Sequence, residues 1–173
     1  MQSNWERVRS NWPPSGRARN RGLDEIKEQT CEFFAENDIH PLAFSHFGIA
    51  LWDTADSLAT LRELLGWEWQ PTTRSFIESS GVHVTRGDFE GAELELIQPE
   101  KPGFLLDALR QHGEHLNHIS YEVADITDCH DTLTANGIPS LFGIRQGSHG
   151  EVAFFAPKVL EPLYLELWAD PDA

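Results

Sequence analysis

The chain repeats itself. Ser45-His46-Phe47-Gly48-Ile49-Ala50-Leu51-Trp52-Asp53 lies over Asn117-His118-Ile119-Ser120-Tyr121-Glu122-Val123-Ala124-Asp125, His on His and Asp on Asp, with Asp56 over Asp128 three residues later. The offset is 118 − 46 = 72. A second matched pair, Leu94-Glu95-Leu96 and Leu165-Glu166-Leu167, is offset by 166 − 95 = 71. Such self-similarity means one supersecondary unit used twice, each copy helping to bury the other.

Local signals give the content of the unit. Asp53 and Asp125 each stand where an N-cap belongs, and Asp56 and Asp128 fall in the first turn, where negative charge is favoured. Leu58, Leu61 and Leu65 form an apolar stripe in the first helix, and Ile126, Cys129 and Leu133 form one in the second. Gly66 and Gly137 occupy the left-handed position that closes a helix. Three strand-like runs follow each helix, near 74–78, 82–86 and 93–98, then near 141–145, 151–156 and 163–168. The expectation is an α+β fold of two βαβββ modules, about 41–100 and 114–170, within one domain over 41–173. Residues 101–112 read as a connecting helix, 22–37 as a further helix, and 1–21 as an irregular arm, so that 1–40 form a basic arm and helix ahead of the domain.

Side chains alternate across a strand. Phe47, Ile49 and Leu51 share one face and leave His46, Gly48 and Ala50 on the other; Ile119, Tyr121 and Val123 oppose His118, Ser120 and Glu122. Leu94 and Leu96 oppose Glu93 and Glu95, while Leu163, Leu165 and Leu167 oppose Tyr164, Glu166 and Trp168. If the apolar faces pack under helices, four strands present His46, Glu95, His118 and Glu166 to one cleft. Two imidazoles and two carboxylates suit a divalent Zn, Ni, Co, Mn or Fe ion. By the same alternation Val82 and Val84 face a helix and turn His83 into the cleft, where a neutral imidazole is a candidate general base. His40, His112, His115 and His130 read as structural or exposed, and His149 lies in a glycine-flanked loop.

Composition narrows the partners. A net charge of −15 argues against nucleic acid and anionic membranes, and no apolar run approaches 18 residues. The charge is uneven: residues 1–21 carry five arginines against Glu6, an arm of net +4. No secretory leader is evident in the first forty residues, which points to the cytoplasm. Cys31 and Cys129 offer no disulfide framework and read as two small packed thiols.

From about Ala43 to Ala169 the chain resembles the vicinal oxygen chelate superfamily, which includes glyoxalase I, methylmalonyl-CoA epimerase, extradiol dioxygenases and bleomycin-resistance proteins. The likeness is greatest to methylmalonyl-CoA epimerase: His118-Ile119-Ser120 resembles its second histidine motif. Gln146-Gly147-Ser148-His149-Gly150 with Val152-Ala153-Phe154-Phe155-Ala156-Pro157-Lys158 resembles its glycine loop, strand and closing Pro-Lys. The resemblance implies a homodimer with His46, Glu95, His118 and Glu166 as ligands of a divalent metal. Two positions depart from the epimerase: Glu95 stands where it commonly has glutamine, and Val84 where it has a catalytic glutamate.

The resemblance implies a metal-dependent isomerase or epimerase that moves an α-proton of a small carbonyl or acyl-thioester substrate; the candidate proton carriers are His83, from the strand alternation, and the ligand carboxylates Glu166 and Glu95. The alternatives are an Fe(II)-dependent ring-cleaving oxygenase using His46, His118 and Glu166, and a resistance-type protein that sequesters a small molecule among Trp52, Trp67, Trp69 and Trp168.

Overall fold

A strand that is apolar on one side only demands a sheet covered on that side. A computed structural model describes residues 23–65, 69, 71–89, 92–147 and 150–170. Helix α1 (Leu23–Glu36) leads into a first module of β1 (Ala43–Ala50), α2 (Thr54–Leu65), β2 (Thr73–Ile77), β3 (Val82–Phe89) and β4 (Ala92–Pro99). Helix α3 (Phe104–His112) connects it to a second module of β5 (His115–Glu122), α4 (Ile126–Ala135), β6 (Ser140–Gln146), β7 (Glu151–Phe155) and β8 (Tyr164–Ala169). The βαβββ order therefore occurs twice, with a 3-10 turn at Lys158–Leu160.

All strands join one curved eight-stranded sheet in the order β2-β3-β4-β1-β5-β8-β7-β6. At its centre β1 and β5 run antiparallel, and each pairs in parallel with the last strand of its own module, β1 with β4 and β5 with β8. These four central strands are the ones that carry the repeated His and Glu.

The caps form as their sequence positions require. Asp53 Oδ1 accepts from the Asp56 amide and Asp125 Oδ1 from the Asp128 amide, both at 2.9 Å, so equivalent helices start identically. Gly137, just past α4, has φ of +81°, which an L side chain resists. Gly66, like the arm, Trp67 and His149, lies outside the described residues.

The main core fills the helix-covered face. Phe47, Leu94, Leu96, Ile119, Tyr121, Leu165 and Leu167 meet Ile126, Cys129 and Leu133 of α4. Helix α1 joins the same core through Ile26, Phe33 and Phe34, with Phe34 edge-on to Tyr121 at 4.8 Å between ring centres. Cys129 is buried as a small hydrophobe, but Cys31 of α1 is exposed, so the expectation of two packed thiols holds for one of them. Among the described residues no helix is long and apolar enough to cross a membrane.

Because Phe34 belongs to the central core, Phe34→Ala should lower unfolding free energy by about 3–5 kcal/mol, against about 1 kcal/mol for Asp125→Ala at the α4 cap. Equilibrium denaturation of both variants checks the ranking. A smaller loss at Phe34 than at Asp125 would mean that α1 contributes little.

Candidate metal centre

The strand register decides which side chains can meet. Across the central strands Glu95 of β4 lies beside Gly48 of β1, and Gly48 lies beside His118 of β5. Glu95 and His118 are thus separated by a whole strand, on the order of 10 Å between backbones, and converge by leaning over Gly48. A Cβ on Gly48 would sit 2.0 Å from the His118 ring, so the glycine is the opening through which they meet. The repeat places Ser120 at the equivalent position, next to Glu166 on β8. A small residue two places after each histidine is thus part of the site. In β1 the ladder to β5 shifts register between Phe44 and Phe47, a bulge that re-aims His46.

His46, Glu95, His118 and Glu166 converge with one potential ligand atom each, all within 4.8 Å of one another, on residues 1, 6, 0 and 3 % exposed. The tightest part is a triangle: His46 Nε2 to His118 Nε2 is 3.3 Å, and Glu166 Oε2 lies 3.0 Å from His118 Nε2 and 3.3 Å from His46 Nε2. Glu95 stands slightly back, 3.7 Å from His46 and 3.9 Å from His118, with its Oε2 held by the Arg86 guanidinium. Arg86 also reaches Glu93 at 3.1 Å.

A chain of hydrogen bonds sets the His118 tautomer. The Gly113 carbonyl accepts from His115 Nδ1 at 2.7 Å, His115 Nε2 accepts from Asn117 Nδ2 at 3.3 Å, and Asn117 Oδ1 accepts from His118 Nδ1 at 3.2 Å. Reversing the Asn117 amide would require His115 to be protonated on both nitrogens. In the neutral arrangement His118 therefore keeps its proton on Nδ1 and points a lone pair at the cluster. His46 has Ser45 Oγ 2.9 Å from its Nδ1, which engages the outer nitrogen and leaves Nε2 turned to the cluster.

These donors fit a divalent cation. Two imidazole Nε2 atoms meet at 3.3 Å, and buried Glu166 Oε2, close to both nitrogens, is misaligned for a hydrogen bond with either. Burial favours neutral His46, but the contact and charge of Glu166, helped by Glu95, outweigh it and raise its pKa above the ordinary 6.5. Burial opposes the charge on Glu166 as well, but His118 and then His46 overcome it and hold this carboxyl well below the usual range. In the metal-free chain a proton on His46 thus does part of what a cation would do.

His83 is not in this cleft, contrary to the alternation argument. Its Nε2 pairs with Glu100 at 2.9 Å, its side chain is 44 % exposed, and it lines a separate hollow beside Asp53, Thr54 and Gln98. The β3–β4 register explains the inversion: Arg86 faces Glu95 and Val84 faces Ile97, so Val82, Val84 and Arg86 line the cleft. Apolar Val82 and Val84 form its floor, while polar His83 and Thr85 turn towards the start of α2. The signal that would have shown this, and Arg86 with it, is the pairing of Phe89 with Ala92 so close in sequence, which fixes a hairpin register. Asn117 and His115 gave no such signal, because only their distances reveal the link to His118.

The cleft encloses about 330 Å³. Its aromatic wall is Phe104, Phe142 and Phe154 rather than tryptophan: Trp69 packs over Gly87 in the core, and Trp52 is exposed at the surface.

Residues 45–155, more than half the chain, match the Glyoxalase/Bleomycin resistance protein/Dioxygenase superfamily. The protein belongs to that superfamily. No curated protein matches it by sequence. Among solved structures it is similar to methylmalonyl-CoA epimerase from Mycobacterium tuberculosis, at 18 % identity and a TM-score of 0.63 over 75 % of this chain and 89 % of that one. A variant of Streptomyces coelicolor methylmalonyl-CoA epimerase in complex with 2-nitronate-propionyl-CoA gives 23 % identity and a TM-score of 0.64 over 76 % and 99 %. A hypothetical protein from Bacillus halodurans gives 20 % and 0.64 over 76 % and 96 %. At these identities the likeness establishes the fold.

The pKa directions carry a sign. Raised His46 contributes stability that is full below 6.5 and is lost as pH rises through its folded value; lowered Glu166 contributes stability present above 4.5 and lost on acidification. The thermal midpoint of metal-free protein should therefore fall as pH is raised from 6.5, and Glu166→Gln should flatten that fall. Equal slopes in the two proteins would show that the pair is not the cause.

Proposed function

We propose that the protein is a metal-dependent isomerase or epimerase that moves an α-proton of a small carbonyl or acyl-thioester substrate. The observation that carries this reading is the buried convergence of two imidazole nitrogens, their Nδ1 atoms engaged on the outer side, with two carboxylates. A divalent ion held by His46, His118, Glu166 and Glu95 would act as a Lewis acid on two neighbouring substrate oxygens.

The chain's own residues then share the work. Arg86 orients Glu95, and the Val82–Val84–Ile97 floor excludes water beneath the reacting carbon. Among the described residues lining the cleft, Glu95 and Glu166 are the only carboxylates and His118 the only histidine. Val84 stands where the resemblance puts the epimerase's glutamate, and His83 is outside. Glu166, which no arginine holds in place, is the proposed proton carrier, before Glu95. The same reading takes the protein as a cytoplasmic homodimer.

One observation favours the oxygenase as a second reading. Glu95 is set back and engaged by Arg86, so His46, His118 and Glu166 alone form a close triad of two histidines and one carboxylate.

Protein purified without added metal should hold about one divalent ion per chain; His118→Ala should lose most of it, and Gly48→Ala should weaken retention by pushing the His118 ring aside. Elemental analysis after dialysis reads this, and wild-type protein that stays empty after exposure to each of Zn, Ni, Co, Mn and Fe would sink both readings. Solvent deuterium should enter the α-position of an accepted substrate anaerobically, with about a 10²–10⁴-fold loss in Glu166→Gln. Fe(II)-dependent oxygen uptake with a catechol would select the oxygenase instead.

A further inference from the structure

The cleft has a second charged feature at its far side. Arg145 of β6 pairs with Val152 of β7, and Val152 pairs with Trp168 of β8, two residues along from Glu166. The neighbouring Ile144–Ala153–Leu167 row packs into the helix-covered core. The register therefore commits Arg145 to the cleft side, and its side chain lines the same cavity as Glu166 and His118.

What holds the guanidinium there is aromatic. Its central carbon lies 4.4 Å from the Phe142 ring centre, Phe142 packs against Phe154 at 5.6 Å, and Phe154 meets the His118 ring edge-on at 5.1 Å. One wall thus runs continuously from the arginine to the candidate metal ligands. In a chain of net charge −15, Arg145 has no carboxylate within ion-pair distance among the described residues. Of the other cations lining the cleft, Arg86 is spent on Glu93 and Glu95, and Lys101 turns to the carbonyl and carboxylate of Glu78 at 3.1 and 3.8 Å. A guanidinium seated over an aromatic face, with no carboxylate paired to it among the described residues, can take a carboxylate through two parallel hydrogen bonds.

Charge at the other end agrees. Glu95, Glu166 and Arg86 leave a net −1, which a divalent ion would turn into +1. The cleft then has positive charge at both ends and an apolar middle of Val84, Ile97, Phe104 and Phe142.

We infer that Arg145 anchors an anionic group of the substrate, so that the cleft takes a compact organic acid: two neighbouring oxygens towards the histidine–glutamate cluster, a flat or branched apolar body along Phe142, and a carboxylate on the Arg145 guanidinium. This rests on the proposed metal-chelating site and adds the substrate class to it.

The test uses Zn-loaded full-length protein and two simple probes that share vicinal oxygens on a ring, catechol and 3,4-dihydroxybenzoate, with binding measured by calorimetry. The benzoate should bind at least about 10-fold more tightly, since a charge-assisted pair contributes that much or more. Arg145→Met should remove the advantage while leaving catechol affinity and Zn content unchanged; Arg145→Lys should restore part of it. Equal binding of the probes to wild type, or an advantage that survives Arg145→Met, overturns the anchor and leaves the chelating site standing. If neither probe binds Zn-loaded protein, the chelating reading and the anchor fall together.

Discussion

Two carboxylates and two imidazoles buried against one another are the constraint around which the sheet is organised. An isolated ion taken out of water is costly, and the cost is offset only when opposite charge and directed donors sit within a few ångströms. Here the compensation comes from several strands at once. Arg86 of β3 answers Glu95, the imidazoles of β1 and β5 answer Glu166, and Asn117 with His115 fixes the His118 proton on the outward nitrogen. Remove any of these and a buried charge is left exposed to an apolar wall.

That arrangement requires the two modules to meet through their first strands. Antiparallel β1–β5 pairing puts both histidines at the sheet centre, and the parallel β1–β4 and β5–β8 pairs add a glutamate on each side. The site is therefore a property of the pair, since each copy holds one histidine and one glutamate. Gly48 and Ser120 complete the device by lacking bulk where a ligand must lean across a neighbouring strand. The copies have diverged elsewhere: the first supplies Arg86 and an aliphatic floor, the second Phe142, Phe154 and the stacked Arg145. One end of the cleft is thus tuned for the ligand cluster and the other for whatever approaches it.

Within the superfamily, the chain joins a fold seen in methylmalonyl-CoA epimerases to a cleft whose third strand offers Val84 and Arg86 rather than a free carboxylate. The chemistry at such a site is decided by side chains placed on a common sheet. On the reading proposed above, proton transfer would fall to a residue of the cluster itself.

Much of this was legible before any coordinates. The 72-residue repeat, the paired Asp caps and the alternation in β1, β4, β5 and β8 together specified two βαβββ units with His46, Glu95, His118 and Glu166 on one side. Those signals are local or periodic, and a strand with one covered face has a single way to turn its side chains. Strand β3 escaped because the cleft is itself apolar there: Val-His-Val reads as core and solvent, whereas the valines line the cavity and His83 meets the start of α2. Alternation tells which residues share a face and leaves open which face is which. Only the register with β4 settles that, and it also brings Arg86 to Glu95. The Asn117–His115 relay, the opening at Gly48 and the stacking of Arg145 on Phe142 depend on distances between strands far apart in sequence, which tertiary packing alone decides.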